Sequence, residues 1–501
     1  MHWFNTHAAE VPPHPRREPR FDGPLTADGL RAIFQDCVDL SERQVLLGGD
    51  PAKAVTVFSI LGQVRGERFY DYVLRPLAMD PRLRSASPAG AARLMTQGLV
   101  YAPATVCRTL DEAAFALVEG SVVFDFPGDG EMIAYAVATE EKRSISAPEN
   151  EPSLKGSMDA FVESLRTNTS LVRRRLRAPE LRVTEVVAGR QTVTPIDILS
   201  IDGLTDPELV ARVRARLEAI DTDELLQTAC LEELIADEVK TPFPLAAYTQ
   251  RPDRFCAGLV EGRVGVLVDG LPLGYLLPGT VGQFFRTGQD RSQNWVAASC
   301  LSVLRYVCML LSLFLPGVYV AAVNFHPEMI PARLAWSIAE AKADVPFSTV
   351  FEVLILLLAF EIVQEAGLRL PGPIGQTVSI LGGLVVGTAA VEAKIVSPVV
   401  LIAVAVAGIA GYTVPSQEFS AALRIWRFGL VIAASLAGLF GVAAAAGLLV
   451  CHLARLESFG VPYLTPFAAG RDRSNGVIRW PRPWQKLREA SLHPRNRRRQ
   501  G

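Results

Sequence analysis

The chain has 501 residues, 50% of them hydrophobic and 20% charged, and a formal net charge of -2. These averages exclude a strongly basic nucleic-acid binder and suit a globular protein with a membrane part. Charge is dense up to about Arg291 and sparse from Tyr306 to Leu453, so a soluble half should precede a membrane half.

Residues 1–25 are polar and Pro-rich and contain no apolar h-region, which predicts a disordered leader rather than a cleaved signal peptide and a cytoplasmic first half. Helical apolar spacing follows in "LTADGLRAIFQDCVDLSERQVLL", then strand-like "AVTVFSIL", a helix in "LDEAAFALVEG" and a strand in "SVVFDF". These make a first α/β subdomain over 26–145. "EEKRSISAPENEP" reads as a loop or linker. A second α/β subdomain and a juxtamembrane part occupy 146–294. It opens with a helix ending near Arg177, followed by strands in "LRVTEVVAG" and "PIDILSI". In "TDPELVARVRARLEAI", Thr205 and Glu208 have capping-box spacing. "YTQRPDRFCAGLVEGRVGVLVDGLPLGYLLP" reads as helix, strand, turn at Asp269-Gly270 and strand.

Arg173, Arg174, Arg175 and Arg177 form the sharpest charge run. A solvated helix end is the expectation, with an anion or headgroup site as the alternative. Seven cysteines lie scattered without a C-x-x-C pair, so neither a disulfide framework nor a metal site is expected. No phosphate-binding, dinucleotide-binding, zinc-protease or serine-hydrolase motif occurs. No catalytic residue, cofactor or enzymatic activity is expected.

Four apolar stretches read as spans: Tyr306 to Phe325, Ile374 to Ala393, Val399 to Val414 and Phe428 to Leu453. A fifth, "VFEVLILLLAFEIVQEAG", carries Glu352, Glu361 and Glu365 and is expected to be buried against other helices or re-entrant. Arg305 is expected to snorkel toward the interface. The tail after Leu453 is rich in arginine and should lie inside. The membrane domain is thus placed at 295–455 and a basic cytoplasmic tail at 456–501. On a helical wheel Gly375, Gly382, Gly383 and Gly387 mark a small-residue packing side, whereas Thr377, Leu381, Val385, Thr388 and Glu392 form a second stripe. Copies of this helix around an axis would line a pore with an apolar gate and a ring of carboxylates. The alternative is a packing helix with Glu392 paired to Lys394.

The blocks "TPFPLAAYTQRPDRFCAGLVEGRVGVLVDGLPLGYLLPGT", "FHPEMIPARLAWSIAEAKADVPF", "FEIVQEAGLRLPGPIGQTVSILGGLVVGTAAVEAKIVSP" and "LESFGVPYLTPFA" resemble the GerA family of spore germination proteins, A subunit. That resemblance implies a germinant receptor component in the spore inner membrane, with a cytoplasmic α/β domain of two subdomains and an all-α polytopic membrane domain. It implies a homo-oligomeric ion channel that releases monovalent cations, together with a transporter-like B subunit and a lipoprotein C subunit. Leu357 stands where the family commonly carries a glutamate, and Lys394 where it usually carries glycine. The alternatives are the paralogous stage V sporulation AF-type protein and a non-conducting membrane scaffold.

Overall fold

The computed structural model describes residues 21–47, 50, 53–64, 66–86, 88–96, 103–126, 130–138, 151, 157–225, 227–369, 387–467, 477–478, 488 and 490–496. The chain forms two compact units, one built mainly from residues 1–236 and 248–278, the other from 237–247 and 279–486.

The first unit is α/β and holds two five-stranded sheets. In the first sheet, β1 (Leu40–Leu46), β2 (Ala54–Ile60), β3 (Ala104–Cys107), β4 (Ser121–Asp125) and β5 (Met132–Ala136) lie in the order β1-β2-β4-β5-β3. Every neighbouring pair is antiparallel. The period-2 alternation of the strands divides them between two cores. Phe58, Ile60, Val123, Met132 and Ala134 pack under α1 (Ala27–Ile33) and α2 (Leu110–Val118). Val55, Val57, Val122, Phe124, Ile133 and Tyr135 pack on the other side, against Val73, Leu77, Leu83, Ala91 and Met95 of the short helical turns between β2 and β3.

The second sheet contains β6 (Leu181–Ala188), β7 (Thr194–Ile201), β8 (Ala247–Thr249), β9 (Val264–Val268) and β10 (Gly274–Leu277), in the order β6-β7-β9-β10-β8. This repeats the order of the first sheet strand for strand. The helix before the third position repeats as well: α2 leads into β4, and α5 (Pro252–Glu261) leads into β9. Both helices end on the same tetrapeptide, Leu117-Val118-Glu119-Gly120 and Leu259-Val260-Glu261-Gly262. Gly120 and Gly262 have φ of +88° and +100°, left-handed conformations that let the helix stop and the chain turn into a strand. The unit is therefore an internal repeat. α3 (Leu165–Arg175) and α5 cover one face of the second sheet, while Leu209, Val213 and Leu217 are the buried face of α4 (Pro207–Glu218).

Several sequence expectations change here. Residues 21–25 are not part of a free leader, because Phe21 and Leu25 pack on the first core. The first predicted helix stops at Ile33, and "LSERQVL" becomes strand β1. Helix α4 is capped by Asp206, whose side chain accepts from the Glu208 N–H, and the Thr205 hydroxyl instead accepts from the Ile201 N–H. The predicted linker at 140–152 falls outside the described residues except for Glu151, whose carboxylate pairs with Arg254.

The arginine run is not a solvated helix end. Arg173 is fully buried, and its Nε and Nη2 donate to Asp39 Oδ2 and Oδ1 at 2.7 and 2.9 Å, joining α3 to the first sheet. The same seam holds the Val38 N–H on the Val183 carbonyl (2.9 Å) and the Gln63 amide on the Ser170 carbonyl (2.9 Å). Arg182 donates to the Ile33 and Gln35 carbonyls. Arg175 is taken by Ser157 and Asp159. Asn168 is buried with its amide engaged by the Val162 backbone.

The second unit is helical. α6 (Trp295–Phe325), α7 (Ala332–Ala343), α8 (Thr349–Arg369), α9 (Pro398–Gly411) and α10 (Gln417–Arg455) follow in order. Two of the described helices, α6 and α10, are long and apolar enough to cross a membrane. Their backbones approach closely where Gly317 faces Leu430, since a Cβ there would stand 3.3 Å from the Leu430 carbonyl oxygen. α9 has 14 residues, about 21 Å at 1.5 Å per residue. That falls short of the roughly 30 Å of a bilayer interior, so the predicted span Val399 to Val414 does not cross as one straight helix. α10 begins eleven residues before the predicted Phe428 and is broken at Ala437 and Gly438 (φ +60°), where a Cβ would meet Phe325 at 2.9 Å. α7 has 12 residues and is likewise too short to cross. Of the basic tail, Val461–Pro462 pairs with Glu457–Ser458 in the second unit, whereas Arg488 and Arg495 bond the Val260 and Leu204 carbonyls of the first.

The seam generates the first prediction. Arg173→Met leaves Asp39 buried without its counter-charge and should destabilise the first unit by about 3–5 kcal/mol, whereas the Arg173→Met/Asp39→Leu pair should recover most of it. Hydrogen exchange at the Val38 amide reads this, and equal protection in the single and double variants would contradict it. A second prediction concerns Asp197, buried on β7, where burial pushes its carboxyl up to about 6 against the opposing pull of the Thr169 hydroxyl and Arg166. The folded state then holds this proton more tightly than the unfolded state, so the carboxyl's contribution is favourable below about pH 4 and is lost as pH rises through 6. The stability of Asp197→Asn minus that of wild type should therefore rise by about 2–3 kcal/mol from pH 4 to 7. Urea titrations across that range measure it, and a flat difference would refute it.

Candidate functional site

The proposed pore stripe is described only at its C-terminal end. Residues 387–392 are helical, and Thr377, Leu381, Val385, Gly375, Gly382 and Gly383 lie outside the described residues. Gly387 is buried, and a Cβ added to it would sit 3.4 and 3.5 Å from the two Leu401 methyls of α9. Thr388 and Glu392 are exposed, four residues apart and therefore on one side of this helix. Lys394 does not pair with Glu392. Its ammonium donates to Asp344 Oδ2 at 2.6 Å, with both side chains largely exposed. Lys394 has φ +54°, in the left-handed region that glycine adopts without cost.

Two of the α8 carboxylates, Glu361 and Glu352, have partners inside the protein. Arg424 and Arg427 stand three apart on α10 and so share one side of it. Both reach Glu361: Arg424 Nη1 donates to Oε2 and Arg427 Nη2 to Oε1, each at 2.8 Å. Arg427 is 2% exposed and Glu361 22%. One carboxylate thus holds two guanidiniums, giving these three side chains a net charge of +1 where the surrounding surface is apolar. Phe360, the preceding residue of α8, lies over α9 at Gly408, where a Cβ would come within 2.6 Å of its ring. Glu352 is fully buried in the first turn of α8, and its Oε2 accepts from the Ser397 N–H at 2.8 Å. Leu357 is buried as an ordinary apolar side chain.

Ten residues into α6, the structure replaces snorkelling by an ion pair. Arg305 Nη1 and Nη2 donate to Asp290 Oδ2 and Oδ1 at 2.7 and 2.9 Å, and Asp290 is buried. Beside it Phe285 stacks on Tyr306 with centroids 4.2 Å apart, and Phe284, Phe419 and Tyr463 continue the aromatic cluster. A bidentate pair of this kind fixes the base of a helix more firmly than a mobile arginine would. Sequence reading missed it because Asp290 sits in a polar loop with no periodicity to mark it.

A family model described as Bacillus/Clostridium GerA spore germination protein matches residues 28–491. Among similar proteins, an uncharacterized membrane protein YfkQ of Bacillus subtilis (strain 168) is 35% identical over 438 residues, 87% of this chain and 84% of that one. Spore germination protein B1 of the same organism is 35% identical over 454 residues, covering 90% of this chain and 93% of that one. Spore germination protein GerLA of Bacillus cereus is 34% identical, covering 91% and 93%. The crystal structure of the N-terminal domain of the A subunit of the Bacillus megaterium spore germinant receptor GerK3 matches with a TM-score of 0.40 and 25% identity, over 52% of this chain and 97% of that one. Helices α6 and α10 are long and apolar enough to cross a membrane, and the first of these relatives is named a membrane protein.

The Glu361 cluster yields a ranked prediction. Glu361→Gln strands Arg427 without a counter-charge and should cost about 3–5 kcal/mol. Arg424→Gln leaves the buried Arg427–Glu361 pair intact and should cost under about 1 kcal/mol. Thermal unfolding of the full chain in detergent compares them, and equal losses would contradict the assignment.

Proposed function

Because the chain belongs to the Bacillus/Clostridium GerA family of spore germination proteins, we propose that it acts as the A subunit of a spore germinant receptor. In this reading it is a multi-pass protein of the spore inner membrane with both termini in the cytoplasm. Several copies stand side by side, with Gly375, Gly382, Gly383 and Gly387 against neighbouring helices. Thr377, Leu381, Val385, Thr388 and Glu392 then face a shared aqueous path whose apolar middle is the gate and whose carboxylates favour cations. A transporter-like B subunit takes up the nutrient signal, a lipoprotein C subunit completes the receptor, and opening releases monovalent cations.

The observation that carries this reading is the division of residues 387–392, where Gly387 packs inward on Leu401 while Thr388 and Glu392 remain exposed. An exposed carboxylate on a membrane helix is expensive against lipid and inexpensive against water. The ion pairs of Glu361 and the backbone bond of Glu352 support the same view, because they engage two of the three acids of α8 inside the protein. With those groups engaged, Glu392 is the described acid best placed to meet a passing ion.

The test uses spores and purified protein. Spores carrying Leu381→Ser or Val385→Ser should lose potassium before any nutrient is added, and the purified chain should run as an oligomer that conducts in planar bilayers. Wild-type potassium retention in both variants at normal protein levels, with a non-conducting protein, would leave a membrane scaffold as the better reading.

A further inference from the structure

The cluster around Glu361 does not balance its own charge. Arg424 gives that carboxylate one bond from Nη1 and Arg427 one bond from Nη2, so two guanidiniums share a single negative charge. A guanidinium donates from its Nε as well as from both terminal nitrogens. Arg424 Nε and Arg427 Nε are buried and have no hydrogen-bond partner among the described residues. Nor do Arg424 Nη2 and Arg427 Nη1 bond any described group. Glu365, one turn further along α8, is exposed and pairs with neither arginine. One positive charge and a set of N–H donors are therefore left unmatched among the described residues.

The surroundings limit what can match them. Arg427 is 2% exposed and Arg424 25%, so one guanidinium is enclosed and the other reaches the surface beside it. That surface is apolar: Ile425, next to Arg424, is exposed, and so is Leu436 further along α10. An uncompensated arginine against hydrocarbon is expensive. Two aromatic residues mark the level of the cluster. Tyr412, exposed at the end of α9, has its ring centroid 6.0 Å from that of Phe360, the residue before Glu361, and Trp426 lies between the two arginines in sequence. Tyr and Trp gather where acyl chains give way to headgroups. At that level the negative group at hand is a lipid phosphate, whose oxygens match the planar fork of a guanidinium.

We propose that Arg424, backed by the charge of Arg427, binds the phosphate of a lipid with one net negative charge, of the phosphatidylglycerol kind, at the outer surface where α8, α9 and α10 meet. Glu361 holds both guanidiniums and cancels one of their two charges, so the site suits a monoanion. The inference rests on the membrane placement of the helical unit and is independent of conduction.

The experiment uses the full chain purified in a neutral detergent and titrated, at constant ionic strength, with phosphatidylglycerol, phosphatidylcholine or inorganic phosphate. Native mass spectrometry counts bound lipid, and the unfolding temperature is followed in parallel. Wild type should bind phosphatidylglycerol saturably and at least about tenfold more tightly than phosphatidylcholine. Arg424→Gln, which keeps the Arg427–Glu361 pair, should remove that preference, and Arg424→Lys, which keeps the charge without the fork, should retain part of it. Arg333→Gln, at an exposed arginine of α7, should leave it unchanged. Equal binding of the two lipids by wild type overturns the proposal, as does a preference that survives in Arg424→Gln. A loss in Arg333→Gln as large as in Arg424→Gln also overturns it, because general attraction then explains the preference. If inorganic phosphate raises the unfolding temperature of wild type as far as phosphatidylglycerol does, and fails to do so in Arg424→Gln, the ligand is a free anion and the lipid assignment falls. A chain that leaves cell membranes in alkaline carbonate without detergent removes the membrane placement and this site together. A chain that needs detergent yet shows no lipid preference loses this site alone, and a non-conducting chain that keeps the preference contradicts the channel reading and leaves the site standing.

Discussion

A charge placed among apolar helices must be matched, and that constraint organises the helical unit. Glu361 is matched by Arg424 and Arg427, Arg305 by Asp290, and one oxygen of Glu352 by the backbone N–H of Ser397. Each match joins separate segments: α8 to α10, the loop before α6 to α6 itself, and α8 to the start of α9. Apolar packing alone would allow helices to slide, because lipid and leucine offer similar surroundings. A matched charge has one low-energy register, since slipping by a turn would expose it unpaired.

The same reasoning applies in the α/β unit with different consequences. Arg173 and Asp39 are both buried at the seam between two sheets of identical strand order, beside the Gln63–Ser170 and Val38–Val183 hydrogen bonds. Two repeats joined by polar contacts of defined geometry act as one body, and separating them would uncover both charges.

Much of this was legible in the sequence where periodicity dominates. "AVTVFSIL", "LRVTEVVAG" and "LDEAAFALVEG" announced their elements, and the apolar half announced its helices. What escaped were features decided by distant partners. Four arginines near a helix end look solvated until Asp39, 134 positions away, is placed beside one of them. The repeat was hidden because its two copies share little beyond "LVEG" and a strand order that spacing alone does not reveal. The break at Gly438 was equally hidden, since a glycine in an apolar run reads the same whether it lets helices approach or interrupts one; the contact with Phe325 decides. The partner of Lys394 was not legible either, because Asp344 is fifty positions away.

With Glu361 held by two arginines, the outward edge at Thr388 and Glu392 becomes the central question about function. Thiol accessibility in the assembled protein addresses it most directly. In a background with the exposed Cys300 and Cys451 replaced, single cysteines at 387, 388 and 392 can be challenged with a charged, membrane-impermeant thiol reagent. If that edge faces water, Thr388→Cys and Glu392→Cys will react readily and Gly387→Cys, turned onto Leu401, will stay protected. Reaction at 387 with protection at both 388 and 392 would contradict the arrangement.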